Sequence, residues 1–478
     1  MASTRFQRPA NSASAVTVHT SAIMRPATSS VRPSFTIPGI RTTNPQFGHT
    51  EPYPVGSSSA HRGHVAIARP EPRGRNKPLE PRAVCAVLPR TPKRFSRAGG
   101  SSESMFASRA NLVELSGIRK MFERAPPDSI NLGLGEPDFQ PPPHILDALD
   151  RAVRSGQNKY GPTGGLPELR AAIAERLKRY TDVSPDQVLV TMGATEGLCT
   201  TMQTFVDRGD EVLTPDPGFV LFAPHVTLAG GVPVFYRVRS EDGFQPRVDE
   251  LNDLVTPKTK AIVVNSPANP TGGVTDGKTI RGIAEIAQDH DLLVVSDEVY
   301  EPFVYEGHHE SFLGRCEKLV WVNSFSKVFA ITGWRIGYLV APLEFVKTIS
   351  KIHYYLVACP STPVQHAALA GLKGPQDFVA QMVKEFSQRR DIVVAALNKV
   401  RGLHSPKPKG AFYAFPTFDH KVTSEAFALK LLEAGVICTP GSSFGAAGEG
   451  HLRFSYANSR ENLERGMEIV AGVSEKLA

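Results

Sequence analysis

Six short runs rich in Val, Ile and Leu constrain this chain more than any other feature. They are "QVLVTM" (187–192), "EVLTP" (211–215), "VPVFYRV" (232–238), "KAIVVNSP" (260–267), "LLVVSDEVY" (292–300) and "LVWVNSF" (319–325). A strand that is apolar on both pleats has no face to offer water, so it belongs in a sheet covered on both sides. Stretches of helical period, such as "TIRGIAEIAQDHD" (279–291), separate several of them. Strands alternating with helices predict an α/β fold with a mostly parallel central sheet. The expected large domain spans 146–349. Past about residue 350 the texture changes. A long amphipathic segment (roughly 376–400) leads into "GAFYAFP" (410–416), then helix, strand and a final helix. Together with 101–145, residues 350–478 are expected to form a smaller α+β domain. No internal repeat is evident.

The first hundred residues read differently. They hold fifteen Lys and Arg against Glu51, Glu71 and Glu80, a net +12 that leaves −5 for the remainder of a chain whose total is +7. Their first fifty contain fifteen Ser and Thr and no acid. Such a segment buries too little apolar surface to offset its ordering entropy, so 1–100 is expected to be disordered. Its Ser, Arg and scarcity of acids suit an organelle transit peptide. The Ser/Thr load favours a chloroplast over a mitochondrion, with "RAVCAV" (82–87) or a point nearer Ser101 as the processing region. The alternative is a disordered regulatory tail. The mildly acidic body gives no charge-based case for nucleic acid. No run approaches the roughly 18 apolar residues a spanning helix needs, so no membrane partner is expected. Cys85, Cys199, Cys316, Cys359 and Cys438 fit neither zinc nor disulfide spacing and read as reduced thiols, mostly core fillers.

In parallel sheets, ligands sit beyond the carboxyl ends of the strands, so the residues after each apolar run carry the chemistry. After "QVLVTM" comes "GATEGL", where Gly193, Ala194 and Thr195 open a helix whose free N–H groups suit phosphate or carboxylate. No G-x-G-x-x-G or G-K-[ST] accompanies it, which argues against dinucleotide or ATP binding. Asn269 follows the next run in "ANPTGG", either a simple turn or a site residue. Asp297 and Tyr300 in "DEVY" end a buried strand. Asp297 is there either a helix N-cap or the partner of something positive. Lys327 in "SFSKVFAITGWRIGY" (324–338) stands among hydroxyl and apolar residues, with Ser324 before it and Arg335 expected on the next strand. It is either a surface cap or an amine meant to lose its proton. Arg453 in "HLRFSYA" (451–457) is a strand arginine whose planar fork suits a carboxylate.

Taken together, these parts resemble the class I/II aminotransferases of the fold-type-I pyridoxal-phosphate enzymes, over about residues 105–475. The motifs carrying the resemblance are "NLGLGEPDF" (131–139), "KYGPTGGLPELR" (159–170), "NSPANPTG" (265–272), "SDEVY" (296–300) and the lysine segment 324–338. The basic head adds the expectation of a plant organelle-targeted member. The resemblance implies pyridoxal 5'-phosphate as cofactor and transfer of an amino group from an L-amino acid to a 2-oxo acid. It implies that Lys327 binds the cofactor aldehyde and shuttles the substrate α-proton, and that Asp297 pairs with the ring nitrogen. Asn269 and Tyr300 would donate to the ring oxygen, and Phe219 would stack on the ring. Gly193, Ala194, Thr195, Ser324 and Arg335 would hold the phosphate, joined by Tyr160 of a neighbouring subunit. Arg453 would take the substrate carboxylate, with Asn269 and the backbone near Gly135. A shared site implies a homodimer acting on small molecules, with no metal. Arg119 would either help choose substrate or lie on a solvated helix face. Some aspartate-preferring relatives carry Lys where this chain has Thr195, and an aromatic after P-Y where it has Phe219 after P-G. Both departures weaken a dicarboxylate-specific reading. A carbon–sulfur lyase or aminocyclopropane-carboxylate synthase uses the same scaffold. A non-catalytic cofactor-binding regulator is the reading from a different class.

Overall fold

A computed structural model describes residues 105–114, 121 and 123–477. The basic head, Cys85, the expected processing region and Arg119 lie outside the described residues. All the described residues fall within one compact unit that starts at Arg94.

All six apolar runs form strands of one seven-stranded sheet. These are β1 (Val188–Thr191), β2 (Glu211–Asp216), β3 (Val232–Arg237), β4 (Thr259–Asn265), β5 (Leu293–Asp297) and β6 (Leu319–Ser324). The seventh, β7 (Gly337–Val340), is too short to stand out as an apolar run. The order is β1-β7-β6-β5-β4-β2-β3. The four pairings from β6 to β3 are parallel, and β7 runs antiparallel to both β6 and β1. Alternate side chains enter two separate cores, which is why the runs are continuously apolar. Leu213, Ile262, Val264, Val294 and Trp321 face one side, and Val212, Val263, Val295, Val320 and Val322 face the other.

Helices cover both faces. Gly277–Asp289 starts where the Asp276 carboxylate accepts from the Thr279 N–H at 2.8 Å, and turns Ile280, Ile283 and Ile286 inward. A third core gathers the later elements: Asp377–Leu397 and Arg460–Glu475 bury Phe386, Val393, Leu463 and Val470 with Phe412, Phe427 and Phe454. The parallel pairing of Ile130–Asn131 with Val436–Ile437 joins the N-terminal segment to this body. The sheet core also takes in Ile145 and, from the helix Thr362–Lys373, Ala367 and Ala368. Phe415 and Phe444 join the same core from further along the chain. Among the described thiols Cys438 is fully buried and Cys199, Cys316 and Cys359 are half-buried, with Cys316 packed against the sheet core.

Candidate active site

A cavity of about 220 Å³ opens at the carboxyl edge of the sheet. Each strand that ends there delivers a polar residue. β5 ends in Asp297, only 3% exposed, and the turn after it brings Tyr300. The Asp297 Oδ1 accepts from the Val299 N–H at 3.2 Å, a local turn and not the helix N-cap that its sequence also allowed. β4 ends in Asn265, whose amide donates to the Asp297 carbonyl at 2.9 Å and whose Oδ1 accepts from the Asn269 N–H at 2.9 Å. β6 ends in Ser324, which caps the short helix Phe325–Val328 by accepting from the Ser326 N–H at 3.1 Å. That single turn points Lys327 back into the cavity, so it is no surface cap.

Arg335 reaches the same place by another route. It precedes β7 and does not lie on it. Because β7 is antiparallel, its beginning lies beside the ends of its neighbours, with Gly337 opposite both Thr191 and Ser324. Arg335 itself adopts a left-handed backbone, φ 54° and ψ 60°, a conformation disfavoured by roughly 1 kcal/mol or more that concentrates at functional sites. Its guanidinium lies against Gly193, where an added Cβ would stand 2.5 Å from Nη2. Gly193 has φ +77° and opens the helix Gly193–Phe205, whose N-cap Met192 offers no side-chain cap. Ala194, Thr195, Ser324, Ser326 and Arg335 therefore line an end of the cavity rich in N–H, O–H and guanidinium donors. Such an end suits a phosphate dianion.

Arg453 lies on the strand Leu452–Ser455 and is 1% exposed. Its guanidinium sits between the Tyr413 and Phe444 rings, at 4.6 and 4.9 Å from their centroids. Nη1 donates to Asn269 Oδ1 at 2.9 Å, while Nη2 donates to the Gly133 carbonyl and to Thr439 Oγ1 at 3.2 Å. Its Nε has no partner, and among the described residues no carboxylate pairs with it. A buried cation without an anion is costly, so burial depresses its pKa and the site is poised for a carboxylate. The short stretch that supplies Gly133 also supplies Gly135, whose carbonyl accepts from Lys327 Nζ at 2.5 Å. The same stretch is tied down by Thr332 Oγ1 on Glu136 at 2.5 Å and by Arg389 on Asp138 at 2.7 Å.

Burial lowers Lys327 to about 8, with Arg335 and Arg453 adding to the shift and Glu136 and Asp297 opposing it. Lys327 as a whole is half-buried, because it lines the cavity. Burial likewise raises Asp297 to about 7, with the Val299 N–H and Lys327 pulling against burial and the Glu298 charge adding to it. The unprotonated amine is the nucleophile. Covalent capture of an aldehyde at Lys327 should therefore rise about tenfold per pH unit below 8 and level off above it. Stopped-flow absorbance on cofactor-free protein between pH 6 and 9.5 checks this; a flat profile contradicts it.

Twelve of the thirteen expected site residues stand at this edge. Gly135, Ala194, Thr195, Phe219, Asn269, Asp297, Tyr300, Ser324, Lys327, Arg335 and Arg453 line the cavity, with Gly193 against Arg335. Tyr160 does not: it is 91% exposed and does not line the cavity of its own chain. Four polar lining residues escaped the sequence reading: Asn265, Ser326, Thr332 and Tyr413. Asn265 follows the same rule as Asp297, a polar residue closing an apolar run. Tyr413 gave no signal beyond its aromatic strand. Its hydroxyl meets the Tyr300 hydroxyl at 2.6 Å, and its strand pairs with that of Arg453.

A sheet edge carrying a phosphate cradle, a buried acid, a reactive amine and an unpaired arginine defines an enzyme that acts on an amino-acid-sized carboxylate through a bound phosphorylated aldehyde. The chain belongs to the family described as aminotransferase class I and II, which it matches over residues 127–470. It is 45% identical over 375 residues to the aspartate aminotransferase of Pyrococcus abyssi, covering 76% of this chain and 96% of the relative. It is 42% identical over 375 residues to aromatic-amino-acid aminotransferase 2 of Thermococcus litoralis, again covering 76% and 96%. Among solved structures it matches aspartate aminotransferase from Thermus thermophilus with maleate at a TM-score of 0.73 and 37% identity, covering 77% of this chain and 99% of that one.

Proposed function

We propose that this aminotransferase uses pyridoxal 5'-phosphate, with Lys327 as the catalytic amine, and that its preferred donors are aromatic or apolar L-amino acids. The observation that carries the reading is the convergence of Asp297, Lys327 and Arg453 on one cavity. The residues fit the cofactor end to end. The Gly193–Thr195 turn, Ser324, Ser326 and Arg335 would hold the phosphate, and Asp297 the ring nitrogen. Asn269 uses its Oδ1 on Arg453, so its amide N–H remains to donate, with Tyr300, to the ring oxygen. Phe219 would form a wall against the ring face. When bound, the cofactor supplies a sink for the electron pair left when the α-proton departs.

The chain's own residues do the rest. The Arg453 fork fixes the α-carboxylate, which aligns the α-carbon over Lys327. The Lys327 amine would shuttle the α-proton between the substrate α-carbon and the cofactor, so that an amino group passes between an L-amino acid and a 2-oxo acid. Depressed basicity keeps that amine able to accept a proton near neutral pH. Lys327, Arg335 and Arg453 are the cations among the described lining residues, and each has a role above. Among the described lining residues there is no fourth cation for a side-chain carboxylate, while Leu134, Leu198, Phe219 and Val299 offer apolar wall. A screen of donors against 2-oxoglutarate tests this. Phenylalanine or tyrosine should outperform aspartate, and pyruvate and ammonia released without an acceptor would overturn transamination.

Arg453→Lys keeps the charge and loses the fork. We expect the KM for every donor to rise about ten- to a hundredfold, as for a truncated charge-assisted contact, with cofactor affinity unchanged. Steady-state kinetics beside a cofactor titration read this out.

The exposed Tyr160 supports a homodimer in which each copy completes the other's phosphate cradle. Sedimentation of the holoenzyme tests the assembly, and a monomer with full activity would refute it. The basic, acid-poor residues 1–100 support import into a plastid, with a mitochondrion as the alternative. Imaging of a fluorescent protein fused behind them tests that, and a diffuse cytosolic signal would refute it.

A further inference from the structure

We propose that His309 is a positioning residue: paired with Glu298, it compensates a buried negative charge that would otherwise oppose ionisation of Asp297. The inference rests on the reading of Asp297 as the acid facing the cofactor ring nitrogen. Asp297 and Glu298 are consecutive and both buried, at 3% and 0% exposure. Asp297 faces the cavity; Glu298 does not line it and packs into the interior. There it receives only donors: Ser296 Oγ at 2.8 Å, the Phe312 N–H at 3.1 Å and His309 Nε2 at 2.6 Å. Two buried carboxylates on adjacent residues repel each other, and each makes the other harder to ionise.

His309 is the cation that can answer this. Its side chain is buried, and its Nδ1 has no partner and no competing acceptor. The groups around it are Glu298, Glu301, Arg179, the Tyr180 ring at 6.2 Å and, across Glu298, Cys316. Glu301 is already met by Arg176, Arg179 and Tyr180, so its charge is spoken for. Burial lowers the basicity of His309, but Glu298 and Glu301 outweigh it and the net shift is upward. With its Nε2 on the Glu298 carboxyl and its proton affinity raised, His309 is placed to offset the Glu298 charge behind the site and so to ease ionisation of Asp297.

The test compares parent, His309→Gln, Glu298→Gln and the double variant by pyridoxal-phosphate titration of cofactor-free protein from pH 6 to 9, with thermal melts as a check on folding. His309→Gln should weaken binding about tenfold and move its rising pH limb up by about one unit. The double variant should recover to within about threefold, because the uncompensated charge is gone. A purely structural role gives a double variant at least as weak as His309→Gln. If His309→Gln does not fold, Glu298→Gln alone decides: affinity within about threefold of parent supports the pair, and a loss beyond tenfold overturns it. A parent that takes up no cofactor overturns the site assignment itself. A parent that binds while His309→Gln binds equally well overturns only this inference.

Discussion

Lys327→Ala should leave a folded protein that hardly turns over. Loss of a positioned acid–base group alone costs about 10²–10⁴ in rate, and this variant also loses the only lysine in the described cavity wall. The lysine is not there for stability. Its depressed basicity means that the folded protein holds the ammonium less comfortably than water does. The cofactor-free variant should thus melt no lower than the parent. Single-turnover measurement of pyridoxamine formation, with melts alongside, reads both. Turnover within tenfold of the parent would show that some other base carries the proton.

Asp297→Asn keeps the shape of the side chain and removes its charge, so it isolates the electrostatic role. Removing one preorganised charge or donor from a dry site typically costs about 10²–10³ in turnover, and that is the fall expected in kcat. The stability effect runs the other way. Asp297 holds its proton to about pH 7 in the folded protein, against about 3.9 for an unperturbed carboxyl. Between those values the unfolded chain is the more ionised state, so stability falls as pH rises from about 4 to 7 and stays low above. Asn escapes that penalty, and the cofactor-free variant should be more stable by a few kcal/mol at pH 8. Less activity with more stability is the mark of a residue kept for chemistry. Denaturant melts at pH 5 and 8 check it: the gap between variant and parent should be clearly larger at the higher pH.

Much of this was legible because the apolar runs and the site residues obey one rule. A strand buried on both faces cannot end in Asp, Asn or Ser without a reason, and Asp297, Asn265 and Ser324 all mark the same edge. Asn269 and Lys327 follow those ends within a few residues and came with them. Arg335 was legible as a residue but not as geometry, since nothing in "GWRIGYLV" tells that β7 runs backwards. Tyr413 was invisible for a related reason. Its place depends on pairing with a strand some forty residues later, and register across such a gap leaves no local trace. Gly133 and Gly135 were legible only through the resemblance, since their function lies in carbonyl oxygens that every residue type carries. Tyr160 is exposed and does not line its own cavity, so no reading of one chain can seat it.

The stretch from Gly133 to Asp138 occupies both working cations with main-chain oxygens. An incoming substrate carboxylate therefore meets a guanidinium whose Nε is open but whose Nη2 is shared with the Gly133 carbonyl, while the cofactor aldehyde must draw Lys327 off Gly135. A simple amine brings nothing that Arg453 would accept in exchange. The polypeptide thus acts as a resident competitor, and the threshold it sets screens visitors for a carboxylate before any bond is made.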